Sequence, residues 1–247
     1  MPLSAAAAVA VLEPGRLGYA AAEALQRRLA ARRLAGDIGD VLILLEHEPV
    51  ITLGRNARAE NLLSSPDALA VRGIEVTECD RGGDVTYHGP GQLVGYPILD
   101  LRACPRPAFL PERRGRLELG PVDYVRALEE VLIGVCAEAG VPARRIPKLT
   151  GVWTEAEPAR KLAAIGVHVA RGITTHGFAL NLFGPLDGFD FIVPCGISQY
   201  GVSSIARESG TVWTIAQASR FARRHFAKVF GRELADGGNL WDDKSLQ

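Results

Sequence analysis

The residues of this chain best suited to covalent chemistry are one cysteine and one lysine. Cys195 stands between a proline and a glycine, and Lys161 lies between an arginine and an apolar stretch. A thiol is a strong nucleophile only as the thiolate, and a nearby ammonium group is one way to form a thiolate at neutral pH. Lysine is scarce, with four copies among the 28 lysines and arginines, which makes Lys161 a candidate for a chemical role.

Simple energetics allow Cys195 and Lys161 to form an ion pair if folding brings them together. Ordinary pKa values are about 10.4 for lysine and about 8.5 for cysteine. Two unit charges about 4 Å apart attract by roughly 4 kcal/mol at an effective dielectric constant near 20. Part of this attraction is lost to desolvation, and each ~1.36 kcal/mol that remains lowers the pKa of the thiol by about one unit. Spacing alone does not show that the two meet, and the simpler alternatives are an inert buried cysteine and a surface lysine.

The neighbours of Cys195 favour a defined bend of the backbone. Pro194 fixes its own backbone angle, and Gly196 permits a tight turn. Backbone N–H groups around such a bend could also stabilise a developing oxyanion. The other cysteines have no such setting: Cys136 is expected to be a core thiol, and no role is predicted for the remaining two, Cys79 and Cys104.

A glycine-rich segment, Arg81-Gly-Gly-Asp-Val-Thr-Tyr-His-Gly-Pro-Gly-Gln92, is the second candidate for a functional element. Its glycines would let the backbone approach a bound ligand closely, since side chains there would obstruct that approach. The segment lacks the GxxxxGK[ST] pattern of a phosphate-binding P-loop. Taken alone, a pair of glycines is equally compatible with an ordinary turn.

Three histidines, His88, His168 and His176, lie near these elements, whereas His47 and His225 suggest no role. The chain has no HxxxH pattern and no Cys/His cluster, so no metal site is predicted. For His88 we favour orientation of the glycine-rich loop by hydrogen bonding over proton transfer.

Four ordered blocks give the chain a resemblance to a known family. They are Arg81 to Asp100, Lys161 to Val167, Thr175 to Leu182 and Ile192 to Ile197, and weaker similarity runs from about Val41 to Ser204. Together the blocks resemble the lipoate-biosynthesis octanoyltransferases of the lipoyl/biotin protein ligase-like superfamily. Residues 102–120 look longer than the corresponding region of that family.

The resemblance implies a function and a set of site residues. The implied activity moves octanoyl from acyl carrier protein, through a thioester on Cys195, to the lysine amine of lipoyl domains, with Lys161 completing a Cys/Lys dyad. No cofactor is implied. The implied acceptors are the lipoyl domains of 2-oxoacid dehydrogenases and the glycine cleavage H protein. The implied substrate-binding residues are Arg81, Gly82, Gly83, Asp84, Val85, Thr86, Tyr87, His88, Ala164, Ile165, Gly166, Gly177, Phe178 and Ala179.

Three other functions remain open from the sequence. An ATP-dependent lipoate or biotin protein ligase would need ATP and would not need Cys195. A hydrolase with the same thiolate would release free octanoate. A catalytically silent module would only dock carrier or lipoyl domains, and it would tolerate loss of Cys195.

Composition narrows the class of protein. The formal net charge is +0, so no general basic field favours nucleic acid. No apolar run approaches the roughly 20 residues of a membrane span, and the small apolar residues at the start lack a basic leader, so neither a membrane segment nor a signal peptide is expected. The four cysteines show no CxxC spacing, which suits a reducing cytoplasm.

Periodicity predicts the elements that must position the candidate site. We predict one α+β domain with mixed β-sheets flanked by helices, a core of about 15–232, an irregular and mobile surface loop at 102–120, and a polar tail at 233–247. The predicted helices are 17–34, preceded by Pro14-Gly15 and ended by Gly36, one from Ser65-Pro66 to Gly73, 121–139 and 211–230. The predicted strands are 41–45, 50–53, 74–79, 85–87, 93–99, 151–154, 162–169 and 174–182.

Overall fold

A computed structural model describes residues 8–110, 118–193 and 200–240. The strands in these ranges are β1 (Val9–Leu17), β2 (Val41–His47), β3 (Val50–Leu53), β4 (Glu75–Glu78), β5 (Val85–His88), β6 (Gln92–Ile98), β7 (Ala143–Ile146), β8 (Leu149–Thr154), β9 (Arg160–Ala170), β10 (Ile173–Asn181), β11 (Gly201–Val202) and β12 (Leu234–Asp236). The α-helices are α1 (Tyr19–Ala35), α2 (Pro66–Ala70), α3 (Pro121–Glu138), α4 (Ile205–Ser209) and α5 (Ile215–Phe230).

The strands form one large and one small sheet. The large sheet has the order β12-β1-β2-β6-β10-β9-β8-β7, and β11 pairs with β9 off this path. The small sheet has the order β4-β3-β5. Both mix parallel and antiparallel pairs, since β1 runs parallel to β2 while β2 runs antiparallel to β6, and β3 is parallel to β4 and antiparallel to β5. The predicted α+β architecture with mixed sheets and flanking helices is confirmed.

Helices cover both faces of the large sheet, and this explains why β2 is a continuous apolar run. Leu42 and Leu44 face a core cluster shared with α3 and α5. Ile43 and Leu45 face a second cluster shared with α1. A strand buried on both faces loses the alternation of a half-exposed strand. The small sheet packs its own cluster, centred on residues such as Ile51.

Local signals account for the ends of the main helices. Helix α1 ends at Gly36, whose φ of 85° is the left-handed conformation that glycine adopts without strain. Helix α5 begins with a capping box, in which Thr214 and Gln217 satisfy each other's backbone N–H groups. No α-helix in the described part of the chain is long and apolar enough to cross a membrane.

The chain termini depart from the prediction. Pro14-Gly15 does not precede a helix directly; it lies inside β1, at an irregularity in the pairing of β1 with β2. Strand β12 falls within the predicted polar tail and pairs with β1. The large sheet therefore extends beyond the predicted core of 15–232 at both ends, because the pairing of two sequence-distant strands leaves little local signal.

Two further predictions need correction. The last helix begins at Ile215 rather than Thr211, and the separate helix α4 precedes it, ended by Gly210 in the left-handed conformation. The loop predicted over 102–120 is not wholly at the surface, because Cys104, Leu110 and Leu119 are buried in the largest core cluster. Residues 111–117 of that loop, with Arg113, Arg114 and Arg116, lie outside the described residues.

Candidate active site

Lys161 is buried near the start of β9, with 5% of its surface exposed. Its ammonium nitrogen lies 4.8 Å from the centroid of the Trp153 ring, within cation–π range. The pairing of β8 with β9 is bulged here, since Val152 pairs with Ala163 and Trp153 with Lys161, leaving Leu162 as the extra residue. A bulge redirects side chains, and it allows two successive residues to be buried on a strand. Lys161 is therefore not a surface lysine.

Two neighbouring segments close on Lys161. Val202 of β11 pairs with Lys161, and the N–H of Ser203 donates to the Lys161 carbonyl at 2.9 Å. On the other side, a Cβ added to Gly151 would lie 2.6 Å from the Ala163 carbonyl oxygen and 3.5 Å from Cε of Lys161. The Ala163 carbonyl oxygen therefore requires glycine at 151, and the lysine stem lies at ordinary contact distance from this position.

Cys195, the predicted nucleophile, lies outside the described residues, as do Pro194 and the rest of 194–199. The chain on either side is fixed. The N–H of Val193 donates to the Asn61 carbonyl at 2.9 Å, and the ring of Tyr200 lies 5.3 Å from that of Trp153. The chain thus returns to the described structure directly beside the residues that surround Lys161.

The described cysteines are free thiols in different settings. Cys136 is fully buried, as predicted for a core thiol, and Cys104 is also buried. Burial raises the pKa of each of these two thiols to about 12, so both are protonated at neutral pH. Cys79 is partly buried, and its thiol donates to the Leu53 carbonyl at 3.5 Å.

Arg81 anchors the glycine-rich segment to the small sheet. Its guanidinium is buried and donates to the Thr52 carbonyl at 2.6 Å and to the Thr52 hydroxyl at 2.8 Å and 3.1 Å. Asp84 caps the same loop, accepting from the amide of Asn61 and from the N–H of Val85 at 2.8 Å. These contacts hold the segment in one conformation.

The glycines of the binding segments serve close backbone packing. The N–H of Gly82 donates to the Val167 carbonyl at 2.9 Å, which lays the loop on β9. A Cβ on Gly166 would lie 2.7 Å from the Gly82 carbonyl oxygen, and one on Gly177 would lie 2.1 Å from the Gly95 carbonyl oxygen. Glycine at 166 and 177 is therefore required by neighbouring backbone, a reason that the sequence did not reveal.

Most of the predicted binding residues line two adjoining cavities between the loop and strands β9 and β10. The larger, of about 40 Å³, is lined by Arg81, Gly83, Thr86, His88, Ala164, Ile165, Gly166, Gly177, Phe178 and Ala179, among others. The smaller, of about 10 Å³, is lined by Lys161 and Tyr87 and shares Thr86, Ala164 and Ala179 with the first. We call the two together the slot. Of the predicted set, the described lining omits Gly82, Asp84 and Val85, which support the loop and the core.

A layer of buried imidazole and phenol rings closes the end of the slot away from Lys161. His47 Nε2 lies 2.6 Å from the Tyr96 hydroxyl, and His176 Nδ1 lies 3.5 Å from the Tyr19 hydroxyl. His88 hydrogen-bonds Gln92 at 3.2 Å, the kind of contact that its predicted loop-orienting role requires. We call Tyr19, His47, His88, Tyr96 and His176 the ring layer.

Comparison with known proteins agrees with this geometry. The Lipoyl protein ligase A/B catalytic domain family matches residues 18–227. An octanoyltransferase of Koribacter versatilis is 48% identical over 226 residues, covering 92% of this chain and 86% of the relative. An octanoyltransferase of Acidobacterium capsulatum is 51% identical over 229 residues, covering 91% of each chain. The chain belongs to the octanoyltransferase family. The family suggested by the four sequence blocks is thus confirmed.

The fold of this octanoyltransferase family member is shared with a more distant enzyme. The bi-partite lipoate protein ligase of Thermoplasma acidophilum superimposes with a TM-score of 0.69 at 14% identity, covering 94% of this chain and 90% of that one. At that identity the likeness concerns the fold alone, and it confirms the lipoyl ligase-like architecture expected from the sequence.

One group of side chains in this octanoyltransferase family member has the composition of a metal site. Ligand atoms of Glu23, Asp80 and His176 lie within 4.8 Å of one another. Each already has a protein partner, because Glu23 pairs with Arg27 at 3.0 Å and Asp80 accepts from His176 at 2.6 Å. The cluster is accounted for by these contacts.

The ring layer makes the stability of the fold depend on pH. Burial lowers the pKa of His47 to about 4, and burial also lowers the pKa values of His88 and His176. In the unfolded chain these imidazoles titrate near about 6.5. Between the folded and unfolded pKa values, the unfolded state therefore binds more protons than the folded state. The free energy of unfolding falls as the pH drops from about 6.5 toward 4, by about 3 kcal/mol for His47 alone.

We expect urea unfolding to show this loss between pH 7.5 and pH 4.5, and a His47→Gln variant to show a shallower loss. If the free energy of unfolding of His47→Gln fell as steeply with pH as that of the wild type, His47 would not be a source of the pH dependence.

The sequence did not predict the roles of Tyr19, Tyr96 and His47 in the site of this octanoyltransferase family member. His47 was given no role, yet it is fully buried and joins the ring layer. A polar residue ending the apolar strand β2 was the available signal. It could not be interpreted without knowing that α1 brings Tyr19 within 5.4 Å of the His47 ring.

Proposed function

We propose that this protein is an octanoyltransferase of lipoate biosynthesis, which moves octanoyl from acyl carrier protein through a Cys195 thioester to the lysine of a lipoyl domain. The observation that carries the proposal is a slot leading to the buried Lys161, in a chain about half identical to octanoyltransferases over nine tenths of its length. The proposed reaction needs no nucleotide, because conversion of a thioester to an amide is downhill.

In the first half-reaction the Cys195 thiolate attacks the carbonyl carbon of the octanoyl thioester. The tetrahedral intermediate collapses, the carbon–sulfur bond to the carrier's pantetheine breaks, and Lys161 gives its proton to the departing thiolate. The products are an octanoyl thioester on Cys195 and free carrier thiol. Burial of Lys161 supports this role, because a charge acts more strongly where water is excluded.

In the second half-reaction the neutral amine of the acceptor lysine attacks the Cys195 thioester. An amide bond forms, the Cys195 thiolate leaves, and the amine's extra proton passes to Lys161. The enzyme thereby returns to its starting thiolate–ammonium state. Lys161 serves both steps in opposite directions, as microscopic reversibility of a single acid–base group allows.

The slot suits a saturated chain. Its walls include Ala164, Ile165, Phe178 and Ala179, which present apolar surface. Six buried methylenes at ~0.8 kcal/mol each would add roughly 5 kcal/mol of affinity at most. That gain favours binding of the octanoyl chain before the Cys195 thioester forms, and the thioester then retains the acyl group while the carrier and acceptor domains exchange.

The acyl donor is a carrier protein and the acceptor a lipoyl domain, which are the partner classes that the family implies. Two arginines that could steer acidic partners, Arg144 and Arg145, are partly neutralised. Arg145 pairs with Glu129 at 3.1 Å and with Glu130 at 2.6 Å, and Arg144 pairs with Glu157. Electrostatic steering must therefore rely on other basic groups.

The direct test is intact-mass spectrometry of the protein mixed with octanoyl-carrier protein in the absence of ATP. We expect a hydroxylamine-labile mass increase of one octanoyl group, followed by its transfer when apo lipoyl domain is added. A thioester adduct is the signature of covalent catalysis by a thiol.

Each rival function predicts another result. No adduct, with turnover only after ATP is added, indicates a lipoate or biotin ligase. Free octanoate in the presence of abundant apo lipoyl domain indicates a hydrolase. Binding of carrier or lipoyl domains without adduct or turnover indicates a docking module.

A further inference from the structure

His176 separates the slot from a second cavity on the other side of its ring. That cavity, of about 220 Å³, lies against α1 and is lined by residues that include Gln26, Ala30 and Asp80. Among the described residues that line either space, His176 is the one common to both. Its ring is 3% exposed, so it fills the gap between them.

Hydrogen bonds on both sides hold the His176 ring in this position. Nδ1 lies 3.5 Å from the Tyr19 hydroxyl, on the slot side. Nε2 lies 2.6 Å from the Asp80 carboxylate, which borders the second cavity. The backbone N–H of His176 donates to the Gln26 side chain at 2.7 Å. Both ring nitrogens are thus hydrogen-bonded and the backbone beneath the ring is bonded to Gln26, so moving the ring would break contacts of a buried side chain.

The strand distance from the junction of the two parts of the slot to this wall, the His176 ring, is close to the length of an eight-carbon chain. Ala164 borders both parts of the slot, and Val167 pairs with His176 in the register of β9 and β10. Three residues of strand from Ala164 to Val167 span about 10 Å. The seven carbon–carbon bonds of an extended octanoyl group, each about 1.5 Å in length, span about 9 Å in zigzag.

We propose that His176, held by Tyr19 and Asp80, is the residue that sets acyl-chain length, by ending the slot and shutting off the cavity against α1. This inference rests on the proposed octanoyl transfer. It assigns the second cavity as space that a longer acyl chain reaches once the imidazole is removed. His176 acts here by excluding the chain and takes no part in the chemistry.

The test is a His176→Gly variant offered an equimolar mixture of octanoyl-, decanoyl- and dodecanoyl-carrier protein with apo lipoyl domain. Glycine suits the position because the backbone φ is 55°, in the left-handed region. Each additional buried methylene favours binding by about fourfold. We expect the ratio of dodecanoyl to octanoyl product, measured by mass spectrometry, to rise at least tenfold over wild type.

Two further variants isolate the effect of removing the ring. His168→Ala removes a different ring that lines the second cavity and keeps the His176 imidazole, so it should retain the wild-type preference for octanoyl. Ala30→Phe, added to the glycine variant, refills the cavity against α1 and should return the product ratio toward wild type. If His176→Gly does not fold, His176→Asn, which also tolerates a left-handed backbone, should show a smaller rise.

The outcomes separate this inference from the function on which it rests. Suppose that the wild type is active and that folded His176→Gly or His176→Asn gives the wild-type product ratio. That result contradicts the proposed role of His176 but not octanoyl transfer. An equal rise in His168→Ala also overturns the proposed wall. A wild type that transfers no chain of any length contradicts the proposed function and the wall with it.

Discussion

Cys195→Ala is expected to abolish octanoyl transfer, with a loss of at least about a thousandfold, because alanine cannot form the acyl-enzyme. The same variant should show no octanoyl adduct by intact mass. Its fold should be unaffected, since the change removes one sulfur atom, and thermal unfolding should confirm this. Transfer is measured as the octanoylated lipoyl domain formed from octanoyl-carrier protein.

The described thiols provide the controls for this prediction. Cys104 and Cys136 are held protonated by burial, which raises the pKa of each to about 12, so neither can replace the nucleophile. Cys79 is partly buried, its thiol donates to the Leu53 carbonyl at 3.5 Å, and it is not among the described residues that line the slot. Cys79→Ala should therefore retain most of the activity. Transfer that persists in Cys195→Ala, or disappears in Cys79→Ala, would contradict the assigned nucleophile.

Apolar periodicity predicted the interior of the fold well. Strands β2, β3 and β6 and helices α1 and α3 begin and end within a few residues of their predicted bounds. These elements are fully or nearly fully buried on one face or both, so their residue types reflect burial directly. The turn glycines were equally informative, as Gly36 shows at the end of α1.

The edges of the large sheet could not be predicted, for a physical reason. Strand β12 has three residues, and its pairing partner β1 lies at the other end of the chain. Pairing across such a distance in sequence follows from tertiary packing, which no local window contains. The same holds for Pro14-Gly15, which looks like a turn and is an irregularity within a strand.

The sequence predicted the segments that line the candidate site, but it did not predict the buried rings behind them. The loop from Arg81 and the strand positions Ala164 and Ala179 do line one slot. The ring layer was not predicted, because its residues come from five separate elements, α1, β2, β5, β6 and β10. They come into contact only in the folded protein. His176 illustrates the difference. The sequence shows only a histidine next to a conspicuous motif, whereas the structure places its ring at the end of the slot.

Lys161→Met is expected to lower octanoyl transfer by about a hundredfold to ten-thousandfold, the usual contribution of a general acid–base group. Methionine keeps the length and apolar stem of the side chain, so the packing against Trp153 should survive. Because the ammonium group no longer favours the thiolate, alkylation of Cys195 by iodoacetamide should shift to higher pH, by about one to two units if roughly 1.4–2.7 kcal/mol of the ion pair is lost. The modified Cys195 peptide is quantified by mass spectrometry across the pH range.

The alkylation profile distinguishes a dyad from a structural lysine. Lys228→Ala, at an exposed position of α5, is the matched control and should change neither the profile nor the rate. Lys161→Arg should remain impaired although it keeps the charge, because a forked guanidinium does not fit the space of a buried ammonium. If Lys161→Met lost activity while the alkylation profile of Cys195 stayed at its wild-type pH, Lys161 would act in proton transfer alone and the thiolate would need another source. An unchanged profile together with unchanged transfer would remove Lys161 from the mechanism altogether.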